Sequence, residues 1–114
     1  MSFASHGLFF REGMIFGKGI ASAAMNQQDK DFFLAAAELL KARGWVSEIT
    51  FTKNSARAKG SIEVRNSDVP TCHKLRGIIR ALYEAYFNQK TVIMEVECES
   101  TGAEQCVFRI EVGE

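Results

Sequence analysis

The chain has 114 residues and a mass of 12.7 kDa, with 46% hydrophobic residues, which allows one globular domain with one core and leaves no room for a separate catalytic domain. Lysine and arginine number 14 against 14 aspartate and glutamate, with a pI near 6.7, so the chain lacks the basic footprint that nucleic acid or an anionic membrane requires. No apolar run approaches the roughly 20 residues of a spanning helix, and residues 1–10 lack the basic start and long apolar core of a signal peptide, so a cytoplasmic protein is expected.

Residues 1–10 hold Phe3, Leu8, Phe9 and Phe10 around His6 and Gly7, the composition of a short extended apolar arm laid on its own core or on a partner subunit. A helix is predicted over residues 12–25, where Gly13, Gly17, Ala21 and Ala24 form a small-residue stripe that suits close packing against another helix. Asp29 is placed to cap a second helix ending near Arg43, with Phe32, Phe33, Ala36, Leu39 and Leu40 on its buried face. Gly44 then suits the left-handed position that closes a helix, with Trp45 after it either covering Leu40 or forming one wall of a pocket. Residues 46–53 alternate as a half-buried strand. The polar run 54–60 reads as a solvated turn, and a second strand is expected over residues 61–65.

After Pro70, Thr71 can cap a third helix, whose predicted apolar face is Leu75, Ile78, Ile79, Leu82 and Tyr86, with Arg80 and Glu84 paired on the opposite side. Residues 91–108 read as a β-hairpin turning at Ser100-Thr101-Gly102, with Arg109 and Glu111 as outward positions of its last strand. The element order, helix, helix, hairpin, helix, hairpin, predicts an α+β domain: a four-stranded antiparallel sheet with helices on one face. Val92, Met94 and Val96 alternate with Ile93, leaving that strand apolar on both sides, so a homodimer is expected to cover the outer face.

The chemistry concentrates between residues 72 and 108, which hold all three cysteines. Folding about Gly102 sets Cys98 opposite Cys106, and opposed side chains on one sheet face have β-carbons roughly 4.5–5.5 Å apart, a spacing two sulfurs on one metal can use. Cys72, at the start of the third helix, sits where the helix dipole favours a thiolate. Two residues compete for the fourth position. His73 would complete a Cys₃His set, while Glu95 lies three residues before Cys98, an odd separation that in a regular strand turns the two side chains to opposite faces. Either choice closes the coordination sphere, which describes structural rather than catalytic zinc. The plainer readings are buried core cysteines, or a Cys98 to Cys106 disulfide that would leave Cys72 over. Gly77, inside the third helix, is placed to give this hairpin room.

Cys72, Gly77, Glu95, Cys98, Gly102, Cys106 and Phe108, at these separations, resemble the signature of the 4-vinyl reductase domain family, small-molecule binding modules related in fold to subunits of the TRAPP transport particle. The string LLKARGWVSEITF and the glycines at 13 and 17 resemble its upstream motifs, so the resemblance covers nearly the whole chain. In the phenol- and xylene-responsive activators that carry this domain, zinc is held by a set that maps onto Cys72, Glu95, Cys98 and Cys106. The resemblance thus implies Glu95 over His73, and a strand irregularity between residues 95 and 98.

No Ser, His and Asp set, phosphate-cradling glycine loop or acid and base pair stands out, so a binding module rather than an enzyme is expected. The resemblance implies a small hydrophobic or aromatic ligand, with Ile49, Phe51, Leu82 and Ile93 as candidate pocket walls; the same four serve equally as ordinary core. The ATPase and DNA-binding domains of those activators have no counterpart in this chain, so output is expected through a protein partner. No histidine matches the residue that orients a phenolic hydroxyl, which favours a purely apolar ligand. The alternatives are an interaction scaffold similar to the transport-particle subunits, and a carrier in tetrapyrrole vinyl reduction.

Overall fold

The computed structural model describes residues 3–26, 31–60, 73–98 and 101–112, with only the backbone for residues 3–9. Its elements are α1 (Phe3–Met25), α2 (Phe32–Ala42), β1 (Glu48–Phe51), β2 (Ser55–Lys59), α3 (His73–Phe87), β3 (Thr91–Glu97) and β4 (Cys106–Val112). The strands form one antiparallel sheet in the order β1-β2-β4-β3. The fold is α+β: α2 packs on β1 and α3 on β3 and β4, while α1 lies chiefly on α3 and α2. Ile20, Leu40, Leu75, Ile78, Ile79, Leu82 and Phe108 are fully buried between these layers. Among the described residues no helix is long and apolar enough to cross a membrane.

Close packing of α1 on α3 explains the small-residue stripe. A β-carbon on Gly17 would come within 2.7 Å of the Ile78 carbonyl oxygen and of the Ala81 β-carbon, contacts that only hydrogen avoids. Gly77 belongs to the same seam. Its added β-carbon would meet the backbone of Phe10 and Met14, so Gly77 makes room for α1 and not for the hairpin. The expected extended arm is also corrected: α1 runs unbroken from Phe3, because its N-terminal half docks on α3, where the Arg76 guanidinium lies 4.4 Å from the centre of the Phe10 ring.

Asp29 lies outside the described residues; the cap of α2 is Asp31, whose side chain accepts from the Phe33 amide at 3.1 Å. At the other end, Gly44 has φ +80°, Trp45 N–H donates to the Leu40 carbonyl and Gly44 N–H to that of Lys41. This is the paired-bond closure that the Gly-Trp sequence predicts. The Trp45 ring meets Phe16 of α1 edge-on at 5.3 Å.

The second strand is displaced from its expected place. Residues 61–65 lie outside the described residues, and the run expected to be a polar turn holds β2 instead. Arg57 and Lys59 face water while Ala56 and Ala58 are buried, an alternation hidden from hydropathy because the inward residues are alanines. The turn before it is tight: Thr52 N–H donates to the Ser55 carbonyl at 2.8 Å, and Ser55 N–H returns to Thr52 Oγ1 at 3.0 Å. Tyr83 secures that turn, its hydroxyl donating to the carbonyls of Thr52 (2.6 Å) and Ser55 (3.0 Å). Tyr83 therefore takes the buried place expected of Tyr86, which is 52% exposed. Thr71, the expected cap of α3, lies outside the described residues. The Arg80 and Glu84 pair forms at 3.0 Å.

Candidate metal centre

The hairpin positions the site. At its turn the Cys98 carbonyl accepts from Thr101 N–H (3.0 Å), Thr101 Oγ1 (2.9 Å) and Ala103 N–H (3.3 Å), and Gly102 takes φ +98°. Along the ladder Glu95 faces Phe108, but the next pair is Glu97 with Val107, so Val96 has no counterpart on β4. This is a β-bulge, the strand irregularity that the family resemblance implies between residues 95 and 98. By inserting one residue it returns Cys98 to the inner face, the face of Glu95. Cys98 and Cys106 are buried thiols with sulfurs 3.9 Å apart, the Cys106 thiol pointing at the Cys98 sulfur.

Glu95 is half-buried, with its Oε2 shielded from solvent. One carboxylate oxygen and the two sulfurs all lie within 4.8 Å of one another. Two thiols and a carboxylate are donors that zinc accepts. A tetrahedral site with Zn–S bonds of about 2.3 Å has an edge of about 3.8 Å between sulfurs, close to the separation present. The donor set and its geometry fit a metal ion. Cys72, directly before α3 in sequence, lies outside the described residues. His73, the first residue of α3, is not among the three clustered donors.

Arg76, one turn into α3, is the cation next to this cluster, and sequence reasoning missed it. Burial pushes its guanidinium below its ordinary pKa, and the Glu95 carboxylate opposes that shift. The apolar periodicity of the third helix places Arg76 on the opposite face with Arg80 and Glu84, which gives no sign of this contact.

The four candidate ligand residues fall in one core. Ile49, Leu82 and Ile93 are 6%, 0% and 5% exposed and pack in a single cluster, with Phe51 half-buried at its edge. The Phe51 ring lies 5.1 Å from Phe33 and 6.1 Å from Tyr83, centre to centre, within an aromatic group that also takes in Phe32, Tyr86 and Phe87. A separate cleft of about 340 Å³ opens between α1, Trp45 and the start of α3, lined by Glu12, Ile15, Phe16, Trp45 and Lys74. The Lys74 ammonium pairs with Glu12 at 3.3 Å on its rim.

Solved structures with the same fold include two proteins. One is a vinyl-4-reductase family protein from Methanocaldococcus jannaschii, with a TM-score of 0.75 at 19% identity over 93% of this chain and 68% of that one. The other is the phenol-responsive sensory domain of the transcription activator PoxR, solved with phenol, with a TM-score of 0.73 at 18% identity over 94% of this chain and 64% of that one. No curated protein matches the chain. The family model for the 4-vinyl reductase domain matches residues 54–112, just over half of the sequence, a stretch that takes in α3 and the whole bulged hairpin. The chain belongs to the 4-vinyl reductase domain family.

Proposed function

We infer that this protein is a zinc-stapled sensor module that binds a small hydrophobic or aromatic molecule and passes that state to a partner protein. The observation that carries the reading is the convergence of Glu95, Cys98 and Cys106 in a fold similar to a phenol-responsive sensory domain. Cys72 supplies the fourth ligand. Four protein ligands leave the ion no open position, so the metal stabilises the fold and performs no chemistry. Cys98 and Cys106 belong to the hairpin and Cys72 precedes α3, so the ion ties together the two elements that carry Ile93 and Leu82. A compartment that keeps thiols reduced, such as the cytoplasm, suits this set.

Ile49, Phe51, Leu82 and Ile93 form the apolar wall that the ligand meets. Three of them are closed off in the core, so binding requires α2 or α3 to move off the sheet, and that movement is the signal a partner reads. The chain offers binding, not catalysis.

Native mass spectrometry of freshly purified reduced protein, repeated under denaturing conditions, tests this. One zinc per chain together with added organic mass is expected. A chain purified without chelator that carries no zinc overturns the metal assignment. Zinc without any organic mass, and no shift in melting temperature with phenols or small hydrocarbons, overturns the sensor assignment. That second result would favour an interaction scaffold, a reading supported by the exposure of Val92, Met94 and Val96.

A further inference from the structure

Phe10 of α1 lies over two arginines of α3. The Arg76 guanidinium stands 4.4 Å from the centre of the ring and that of Arg80 5.6 Å away, a placement in which an aromatic face attracts a cation. Arg80 already has its carboxylate. Glu84 Oε2 accepts from Arg80 Nε and from Thr91 N–H, both at 3.0 Å, and so ties that arginine to the start of β3. Arg76, one turn earlier and half-buried, serves the other end of the strand, where Glu95 is the carboxylate that acts on it.

Charge balance gives Arg76 a task. As metal ligands, Glu95, Cys98 and Cys106 bring three negative charges to a divalent ion, so the occupied centre is anionic, and the Cys72 thiolate of the proposed set makes it more so. A buried net charge is costly unless an opposite charge stands beside it. We propose, resting on the zinc reading above, that Arg76 is a positioning residue that balances this anionic centre on one side and carries the Phe10 ring on the other, so that metal occupancy and the docking of α1 are coupled.

A planar guanidinium suits both tasks, because it offers N–H groups at its edge to a carboxylate and its face to a ring, which an ammonium cannot do. The seam keeps the two tasks together. A β-carbon on Gly13 would meet the Lys74 backbone, and one on Gly77 the backbone of Phe10 and Met14, so α1 rests directly on α3 at residues that flank Arg76. A displaced α1 takes the ring away from the guanidinium and opens it to water, which screens its charge from Glu95. Such coupling is reciprocal: whatever the metal contributes to docking of α1, docked α1 contributes to metal affinity.

Zinc affinity of the reduced full chain, measured by competition with a chromogenic chelator and with circular dichroism recorded for every variant, tests the proposal. Arg76→Met keeps much of the stem without the charge and should weaken zinc binding by about tenfold or more, as partners of metal ligands do; Arg76→Lys should recover most of that loss. Phe10 belongs to α1 and lies outside the donor cluster. Even so, Phe10→Leu should weaken zinc binding by about fivefold or more, and should have no effect when Arg76→Met is already present. Amides in the N-terminal half of α1 should exchange faster in the chelated parent than in the zinc-loaded one, with a smaller difference in Arg76→Met. A folded Phe10→Leu variant that binds zinc as tightly as the parent, or that loses as much affinity with Met at position 76, overturns the coupling. Arg76→Lys no better than Arg76→Met overturns the charge-balancing role. Either result leaves the metal reading standing, whereas a parent chain that takes up no zinc removes that reading and this inference together.

Discussion

Replacing Cys106 by serine removes one of two buried sulfurs while changing little else in volume. Apparent binding free energies of structural zinc are about 10–16 kcal/mol, so one ligand of four carries about 2.5–4 kcal/mol. A chain of 114 residues has an unfolding entropy near 0.24 kcal/mol/K at about 2.1 cal/mol/K per residue, so the melting temperature should fall by about 10–17 °C. The sulfurs already stand 3.9 Å apart, near a tetrahedral edge, so metal binding needs little rearrangement and the full effect should appear. Differential scanning calorimetry of parent and Cys106→Ser, each with and without a strong chelator, separates metal from packing. With chelator present, the gap should shrink to the small cost of burying a hydroxyl. A gap of the same size in both conditions would mean that Cys106 acts as a core residue, and the metal reading would fail.

Glu95→Gln should weaken metal retention by about 100-fold or more, since even partners outside the coordination sphere are worth about 10–100-fold, whereas His73→Gln should leave it unchanged; competition with a chromogenic chelator gives the order, and the reverse order transfers the ligand role to His73. Gly77→Ala drives a β-carbon into the Phe10 carbonyl oxygen. The overpacking, about 1–3 kcal/mol, should outweigh the gain of about 1 kcal/mol in helix propensity, for a net loss of up to about 2 kcal/mol; an unchanged or higher melting temperature would refute close packing of α1 on α3. Tyr83→Phe removes the hydroxyl that donates to the Thr52 carbonyl, while the Ser55 carbonyl keeps the Thr52 N–H, and should cost about 1–3 kcal/mol in urea denaturation. Burial also holds the Tyr83 phenol above its ordinary pKa of 10.0, so the unfolded chain releases that proton first and the parent should lose stability as pH rises past 10. The Phe variant should show a shallower alkaline decline, and parallel curves would count against this role.

Much of the fold is legible in spacing because the signals are local. Gly and Trp after the second helix announce its end, and Gly44 adopts the left-handed conformation that its place implies. The hairpin register follows from a turn at Gly102 between two β-branched runs, and the strand irregularity that the family resemblance implies between residues 95 and 98 is the bulge in the ladder. Where sequence reading fails, the deciding partner is distant in the chain. β2 resembles a turn because Ala56 and Ala58 carry too little hydropathy to mark a buried strand; they are inward because they line up with Phe51 and Ile49 on one side and with Phe108 and Cys106 on the other. Tyr86 and Tyr83 both lie near the apolar edge of α3, and only the turn at Thr52 to Ser55 supplies the carbonyls that make a buried hydroxyl favourable at Tyr83.

By itself the sequence determined the α+β class, the closure of the second helix at Gly44-Trp45, the hairpin and the donor types at the candidate metal centre, since these depend on residues within a few positions of one another. Only the tertiary structure decided which donors meet. Glu95, Cys98 and Cys106 share one face because a single unpaired residue at Val96 reverses the alternation of β3, an outcome that depends on pairing with β4. The α1 and α3 seam was likewise settled by three-dimensional contact. Glycines 17 and 77, one on each helix, exclude a β-carbon only because the other helix lies against them. Local propensities depend on the chain alone, whereas the space beside a residue depends on which segment folding brings against it.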